Sequence, residues 1–353
     1  MKVRLGDVCD KASSSIIQKS LEGHEGKYPI YGASGLIKYV DFYQREKPYI
    51  AVVKDGAGIG RVMKLPAYSS VIGTMQYIIP NEKVDINYLV YSMEYMNLAK
   101  YFSGATIPHI YFRDYQKEPL NLPEIKVQKK IGGILSNIEK LIAFRNQELS
   151  KFDQLVKSRF IELFGDPVSN DKFWNLAILQ DVTSKIGSGA TPKGGKSSYQ
   201  KEGIPFIRSM NVHDGVFLSK DLAYLSDKQA KQLENVIVKE NDVLLNITGA
   251  SVARSCIVPK TVIPARVNQH VSIIRCIPKY LNPEFLNKLF LHHRYKNLLL
   301  SLGEAGGATR QAITKSQLEK LQIILPPLTL QNEFADFVQQ VDKSKYGEIL
   351  NAL

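Results

Sequence analysis

The sequence predicts an α+β chain of two related globular units, each followed by a long helix, the two helices pairing as an antiparallel coiled coil. Three observations carry that expectation: an ungapped internal repeat, a long apolar stripe of helical spacing behind each copy, and short β-rich runs within each copy. At 353 residues the chain has length for two ordinary domains, each able to bury its own core.

The repeat organises everything else. Ser103-Gly104-Ala105-Thr106 is echoed by Gly306-Gly307-Ala308-Thr309, a constant offset of 203 (Gly307 against Gly104). At that offset Ile110 meets Ile313, Lys117 meets Lys320, Leu122-Pro123 meets Leu325-Pro326, Gln128 meets Gln331 and Lys140 meets Lys343. Upstream the match is gapped. Leu5-Gly6-Asp7-Val8 lies opposite Leu179-Gln180-Asp181-Val182, Tyr28-Pro29-Ile30 opposite Ile204-Pro205-Phe206, and Gly56 to Arg61 opposite Gly249 to Arg254. Two copies that keep a scaffold and vary their loops present two different surfaces.

In chain order, the first globular unit covers 1–123. Tyr49 to Val53 and Met75 to Ile79 read as strands, and Ile86 to Phe102 as a short helical stretch. The first long helix covers 124–165. Pro123 and Glu124 suit a helix start, and Val127, Ile131, Leu135, Ile138, Ile142, Leu149, Phe152, Val156 and Leu163 form its stripe, interrupted at Arg145. Gly165-Asp166-Pro167 stops it, and about 40 residues at ~1.5 Å rise make a rod of roughly 60 Å. The second unit covers 166–326, with strands at Val243 to Ile247 and Val271 to Ile274 and a helical stretch from Pro283 to Leu302. The last helix, 327–353, carries Leu330, Phe334, Phe337, Val338 and Val341 and is expected to be short or truncated.

The net charge of +12 favours a polyanionic partner, nucleic acid before membrane. Cys9, Cys256 and Cys276 form no CxxC pair, which excludes a disulfide framework and a cysteine zinc site. The first residues lack a signal-peptide apolar region, and no apolar run approaches the ~20 residues of a membrane helix, so a cytoplasmic protein is expected.

No motif supports catalysis. Gly189 to Ser197 resembles a phosphate-binding loop, but alanine holds the required first glycine position and Pro192 interrupts it. Gly56-Ala57-Gly58-Ile59-Gly60 has the wrong glycine spacing for a dinucleotide site and precedes strand-like sequence, so a tight turn is the simpler role. Asp114, Glu124 and Lys126 fit a loose nuclease pattern, yet the second copy has Gln317, Pro327 and Thr329 there. The histidines show no metal-binding spacing, and the tetrapeptide that holds a flipped adenine for methylation is absent. No cofactor, metal or catalytic residue is expected.

The ordered strings in this duplicated chain resemble the specificity subunit of type I DNA restriction–modification systems. They are Gly187-Ser188-Gly189-Ala190-Thr191-Pro192, Tyr199 ahead of Gly203 to Arg208, Asp242 to Leu245, Val267 to Val271, Tyr28 to Gly35, and Phe152 to Gly165. The first copy lacks the Gly-x-Thr-Pro element. The resemblance implies two target-recognition domains, each reading half of an asymmetric bipartite site in double-stranded DNA. It also implies helices that set the spacing and dock two methyltransferase subunits, with a separate motor/endonuclease subunit joining through the complex. None of the chemistry would reside in this chain.

Base reading calls for forked donors, and backbone contact for cations. The expected contacts are Arg61, Gln76, His109 and Arg113 in the first unit. In the second they are Arg208, Asn246, Arg254, Asn268, Gln269, Arg310 and Gln311; Lys54 of the first unit and Lys193, Lys196 and Lys315 of the second are the expected phosphate contacts. The plain alternative for each is a solvated charge or a turn-stabilising amide. Two rival readings of the whole chain are a stand-alone metal-dependent nuclease using Asp114 and Glu124, and a coiled-coil adaptor that does not bind DNA.

Overall fold

The computed structural model describes residues 1–104, 108–304 and 311–351, with side chains described through residue 345. The chain divides into two compact units, Met1–Gln147 and Glu148–Leu353. Strands of the first unit are β1 (Lys2–Arg4), β2 (Cys9–Ser13), β3 (Tyr28–Gly32), β4 (Gly35–Val40), β5 (Tyr49–Val53), β6 (Val62–Leu65), β7 (Ser70–Val71), β8 (Met75–Pro80) and β9 (Pro119–Asn121). Helices α1 (Ile86–Tyr95) and α2 (Phe112–Tyr115) precede the long α3 (Ile125–Phe164).

The β2-β8-β5-β6 sheet is antiparallel, and β3 joins β4 antiparallel and β7 parallel in a second sheet. Every residue of Tyr49–Val53 is buried because the two faces of β5 serve two cores. Ile50 and Val52 pack with Ile78, Leu89, Val90 and Met93, while Tyr49, Ala51 and Val53 pack with Val71, Met75 and Tyr77. A strand's period of two makes an unbroken apolar run the natural sequence for such a central position.

The second unit repeats this plan. Its elements are β10 (Leu176–Ile178), β11 (Thr183–Ser188), β12 (Ile204–Ile207), β13 (Val212–His213), β14 (Val216–Phe217), β15 (Ala223–Leu225), α4 (Asp227–Lys231), β16 (Ile237–Val238), β17 (Val243–Asn246), β18 (Ser255–Ile257), β19 (Ala265–Val267) and β20 (Val271–Cys276). They continue with α5 (Pro283–Leu291), α6 (His293–Glu304), α7 (Lys315–Glu319), β21 (Gln322–Ile324) and α8 (Leu328–Asn351). β11-β20-β17-β18 matches β2-β8-β5-β6 strand for strand, and the parallel β12–β19 pair matches β3–β7. Val243 and Leu245 face one core and Leu244 the other.

One buried glutamine ties each long helix to its globular part. Gln128 Nε2 donates to the carbonyls of Lys83 (3.1 Å) and Pro123 (2.8 Å), and its Oε1 accepts from Asp85 N (2.9 Å). Gln331 does the same with Tyr280 (3.2 Å), Pro326 (2.8 Å) and Asn282 N (2.9 Å). Asp85 and Asn282 in turn cap α1 and α5 through their side chains. The repeat match at these two positions therefore preserves a complete set of three hydrogen bonds.

Two helical stretches expected to be single are broken. The first ends at Tyr95, and Asn97 takes a left-handed φ of 50° before a one-turn 3₁₀ segment at Leu98–Tyr101. The cause is tertiary: the turn at Gly60 lies so close that a Cβ there would stand 2.3 Å from Ala99 N. The second breaks at His292, whose ψ of 129° separates α5 from α6 while its ring stacks on Phe160 at 5.8 Å.

α3 is one helix of 40 residues and stops at Gly165, which adopts φ 71°. Its apolar stripe behaves differently along its length. Val156, Phe160 and Phe164 are buried with Phe334, Val338 and Val341, whereas Ile138 is 47% and Ile142 57% exposed. Phe164 meets the Phe334 ring at 5.4 Å, Arg159 pairs with Glu333 at 2.7 Å, and Asp153 pairs with Lys345 at 2.7 Å. Over 153–164 the helix and α8 thus run in opposite senses. Among the described residues no helix is long and apolar enough to cross a membrane.

Candidate nucleic-acid interface

In each unit the same loops gather at one end of the sheets. The β5–β6 turn closes with Gly60 N donating to Val53 O (2.9 Å), and Val53 N donates to Arg61 O (2.9 Å). The β17–β18 turn repeats both bonds, Ala253 N to Asn246 O (3.0 Å) and Asn246 N to Arg254 O (2.8 Å). A later segment crosses each turn. Gly56 N donates to Pro108 O (2.9 Å) and Ile110 N to Lys54 O (3.0 Å), matched by Gly249 N to Gln311 O (2.9 Å) and Ile313 N to Ile247 O (2.8 Å). Asp55 therefore corresponds to Thr248, and His109 to Ala312.

The first unit brings Lys54, Arg61, His109 and Arg113 to this end. Lys54 lies 3.7 Å from the Asp55 carboxylate, and His109 Nδ1 hydrogen-bonds Asp55 Oδ1. The His109 ring packs 4.1 Å from Tyr111, over which the Arg113 guanidinium sits at 4.6 Å. Arg113 is 75% exposed, and Arg61 donates to Ala33 O at 2.6 Å, holding the β5–β6 turn to the β3–β4 turn.

In the second unit Gly189 N donates to Asn268 O (3.1 Å), and Thr191 Oγ1 donates to Gln269 Oε1. These bonds carry the exposed Lys193 and Lys196 beside the β19–β20 turn. Arg208, at the end of β12, lies over the Tyr199 ring at 5.6 Å and donates to Asp221 O; its Nε is buried with no partner among the described residues. Arg254 is half-buried, Gln311 donates to Glu304 (2.9 Å), and Lys315 pairs with Glu319 (3.3 Å) on α7. Thr248 Oγ1 hydrogen-bonds His270 Nδ1 across the turn.

Three expected contacts are corrected. Gln76 is buried and accepts from Tyr115 Oη at 2.8 Å, and burial pushes that phenol's pKa up. Asn246 is fully buried, and its Nδ2 donates to Ser209 O (2.9 Å) and Val212 O (3.3 Å). Asn268 is buried and accepts from His270 N at 3.0 Å. Each amide satisfies interior backbone or hydroxyl groups, which have no water to turn to. Arg310 lies outside the described residues, as do Ala105, Thr106 and the Gly306 to Thr309 string.

Asp55, Tyr111, Thr191, Tyr199, Thr248 and His270 were not among the expected contacts. The alternation His109, Tyr111, Arg113 is a readable signal, aromatic between basic residues at a spacing of two. Asp55 and Thr248 become visible only through strand register. Glu124 precedes the first turn of α3, accepting from Val127 N (2.9 Å) and Gln128 N (3.0 Å) through its carbonyl, and Asp114 lies on α2. Among the described residues no group of three or more His, Cys, Asp or Glu side chains is placed to hold a metal.

The duplication is also visible in the comparison with known families. The profile of the type I restriction modification DNA specificity domain matches residues 1–152 and 172–353. The chain belongs to that family. Similar curated proteins are the type I restriction enzyme MjaVIII specificity subunit of Methanocaldococcus jannaschii, 23% identical over 96% of this chain and 85% of its own length, and a putative type I restriction enzyme specificity subunit of Haemophilus influenzae, 23% identical over 90% and 80%. The crystal structure of a type I restriction-modification S subunit from M. genitalium shares the fold, with TM-score 0.71, 14% identity, and coverage of 100% of this chain and 92% of that one. This family supplies the DNA sequence-specificity component of a restriction–modification complex, and its role is recognition rather than methyl transfer or cleavage.

Proposed function

We propose that each globular unit, 1–123 and 166–326, is a target-recognition domain that reads one half of an asymmetric bipartite site in double-stranded DNA. The observation that carries this reading is the loop cluster built identically in the two units but furnished with different side chains. In the first unit Lys54, Arg61, His109 and Arg113 are the contacts. In the second they are Arg208, Arg254, Gln269, Arg310 and Gln311, with Lys193, Lys196 and Lys315 on phosphates. The reading has α3 and α8 pair as an antiparallel coiled coil that spaces the domains. The apolar residues still exposed on α3, among them Ile134, Ile138, Leu141 and Phe144, support docking of two methyltransferase subunits along it. The motor/endonuclease subunit joins through that complex, in the cytoplasm.

Exchange of residues 170–325 for those of a relative tests the division of labour. Mapping methylated sites in cells carrying the exchanged chain with its partners should show one half of the site changed and the other retained. Change in both halves, or in neither, refutes it.

A further inference from the structure

His109 is held from several sides within the first unit's loop cluster. Its backbone pairs with Ser103 in both directions (3.0 and 2.9 Å), and Ser103 Oγ adds a bond to His109 O at 3.2 Å. Tyr111 packs against the ring, and Asp55 engages Nδ1. The imidazole and the carboxylate are each about a quarter exposed, 25% and 27%. The second unit has Ala312 and Thr248 at the corresponding positions, so this pair belongs to one unit alone.

The chemistry of the pair is directional. A carboxylate only accepts hydrogen bonds, so the shared hydrogen sits on Nδ1, and in the neutral form of the imidazole that leaves Nε2 as an acceptor. Phosphate oxygens are acceptors too and offer such an atom nothing. In the major groove the donors are the exocyclic amino groups, N6 of adenine and N4 of cytosine. The other contacts proposed above for this unit, Lys54, Arg61 and Arg113, are all donors, which leaves His109 as the acceptor of that set.

We propose that Asp55 is a positioning residue that fixes His109 so that Nε2 accepts a hydrogen bond from an adenine or cytosine amino group in the half-site read by the first unit. The inference rests on the DNA-reading role proposed above. A side chain held by backbone, ring and carboxylate loses little freedom on binding, which suits base discrimination, while flexible lysines suit the backbone.

The test uses the full chain and a pool of randomised DNA duplexes. Selection with the wild-type protein yields the consensus; if no bipartite consensus emerges, the proposed function itself fails. Given a consensus, His109→Ala and Asp55→Ala should each weaken preference at the same single base pair of one half-site by about tenfold, and Asp55→Asn, which still accepts from Nδ1, should retain it. Replacing the adenine or cytosine there by an analogue without the amino group should weaken wild-type binding to a similar extent and leave His109→Ala binding unchanged. Three results overturn the inference. One is an analogue effect of equal size in wild type and His109→Ala. Another is a uniform loss across all sequences with a shallower salt dependence, the mark of a phosphate contact. The third is equal destabilisation by Asp55→Asn and Asp55→Ala with the consensus intact.

Discussion

Replacing Gln331 probes how the last helix is held to the second unit. Its side chain is fully buried and makes three hydrogen bonds, to Tyr280 O, Pro326 O and Asn282 N. Gln331→Met keeps most of the volume and removes all three. The Asn282 amide then loses its partner, and an unmet buried polar group costs about 1–3 kcal/mol. The two carbonyls add smaller losses, so a destabilisation of about 3 kcal/mol is expected. Gln331→Ala should cost about 1–2 kcal/mol more, since it also leaves a cavity. Urea titration measures the totals, and hydrogen exchange at the Asn282 amide localises the effect. A Gln331→Met protein within about 0.5 kcal/mol of wild type, with Asn282 still protected, would refute the assignment of these bonds as the tie between helix and unit.

Further outcomes follow from the same geometry. Gly189→Ala places a Cβ only 1.7 Å from Val267 O; backbone must shift, so a loss of about 1–3 kcal/mol is expected by thermal melting, with raised proteolysis of the Lys193–Lys196 segment. His292 has its pKa lowered by burial, reinforced by neighbouring His293. The unfolded chain then binds this proton more readily than the folded one. Stability should accordingly fall as pH drops below the ordinary imidazole value and level off under the depressed one. His292→Gln should flatten that part of the urea midpoint profile between pH 7.5 and 5, about the range in which imidazoles titrate, and an unchanged profile would count against the assignment.

The duplication was legible because its residues do structural work that few side chains can do. Gln128 and Gln331 match in sequence since only a side chain with two donors and an acceptor can close that bond set. The central strands were legible for a related reason: β5 and β17 are buried on both faces, so β5 is apolar throughout and β17 is apolar through Leu245. The site was less legible. An amide at a turn looks the same in sequence whether it serves a ligand or the chain itself. Asn246 and Asn268 serve the chain, and Gln76 serves Tyr115. The helix breaks at Asn97 and His292 were hidden too, because neither is marked by glycine or proline and both follow from what packs against them.

By itself the sequence determined two copies of one α+β unit, a long helix behind each, a basic surface and membership of a DNA-specificity family, all written in local pattern or in residues repeated at one offset. Only the tertiary structure decided which polar side chains face outward, because burial depends on strand register and on neighbours far along the chain. It also joined Asp55 to His109 across 54 positions. That juxtaposition comes from a segment crossing a turn, and no periodicity along the chain encodes it.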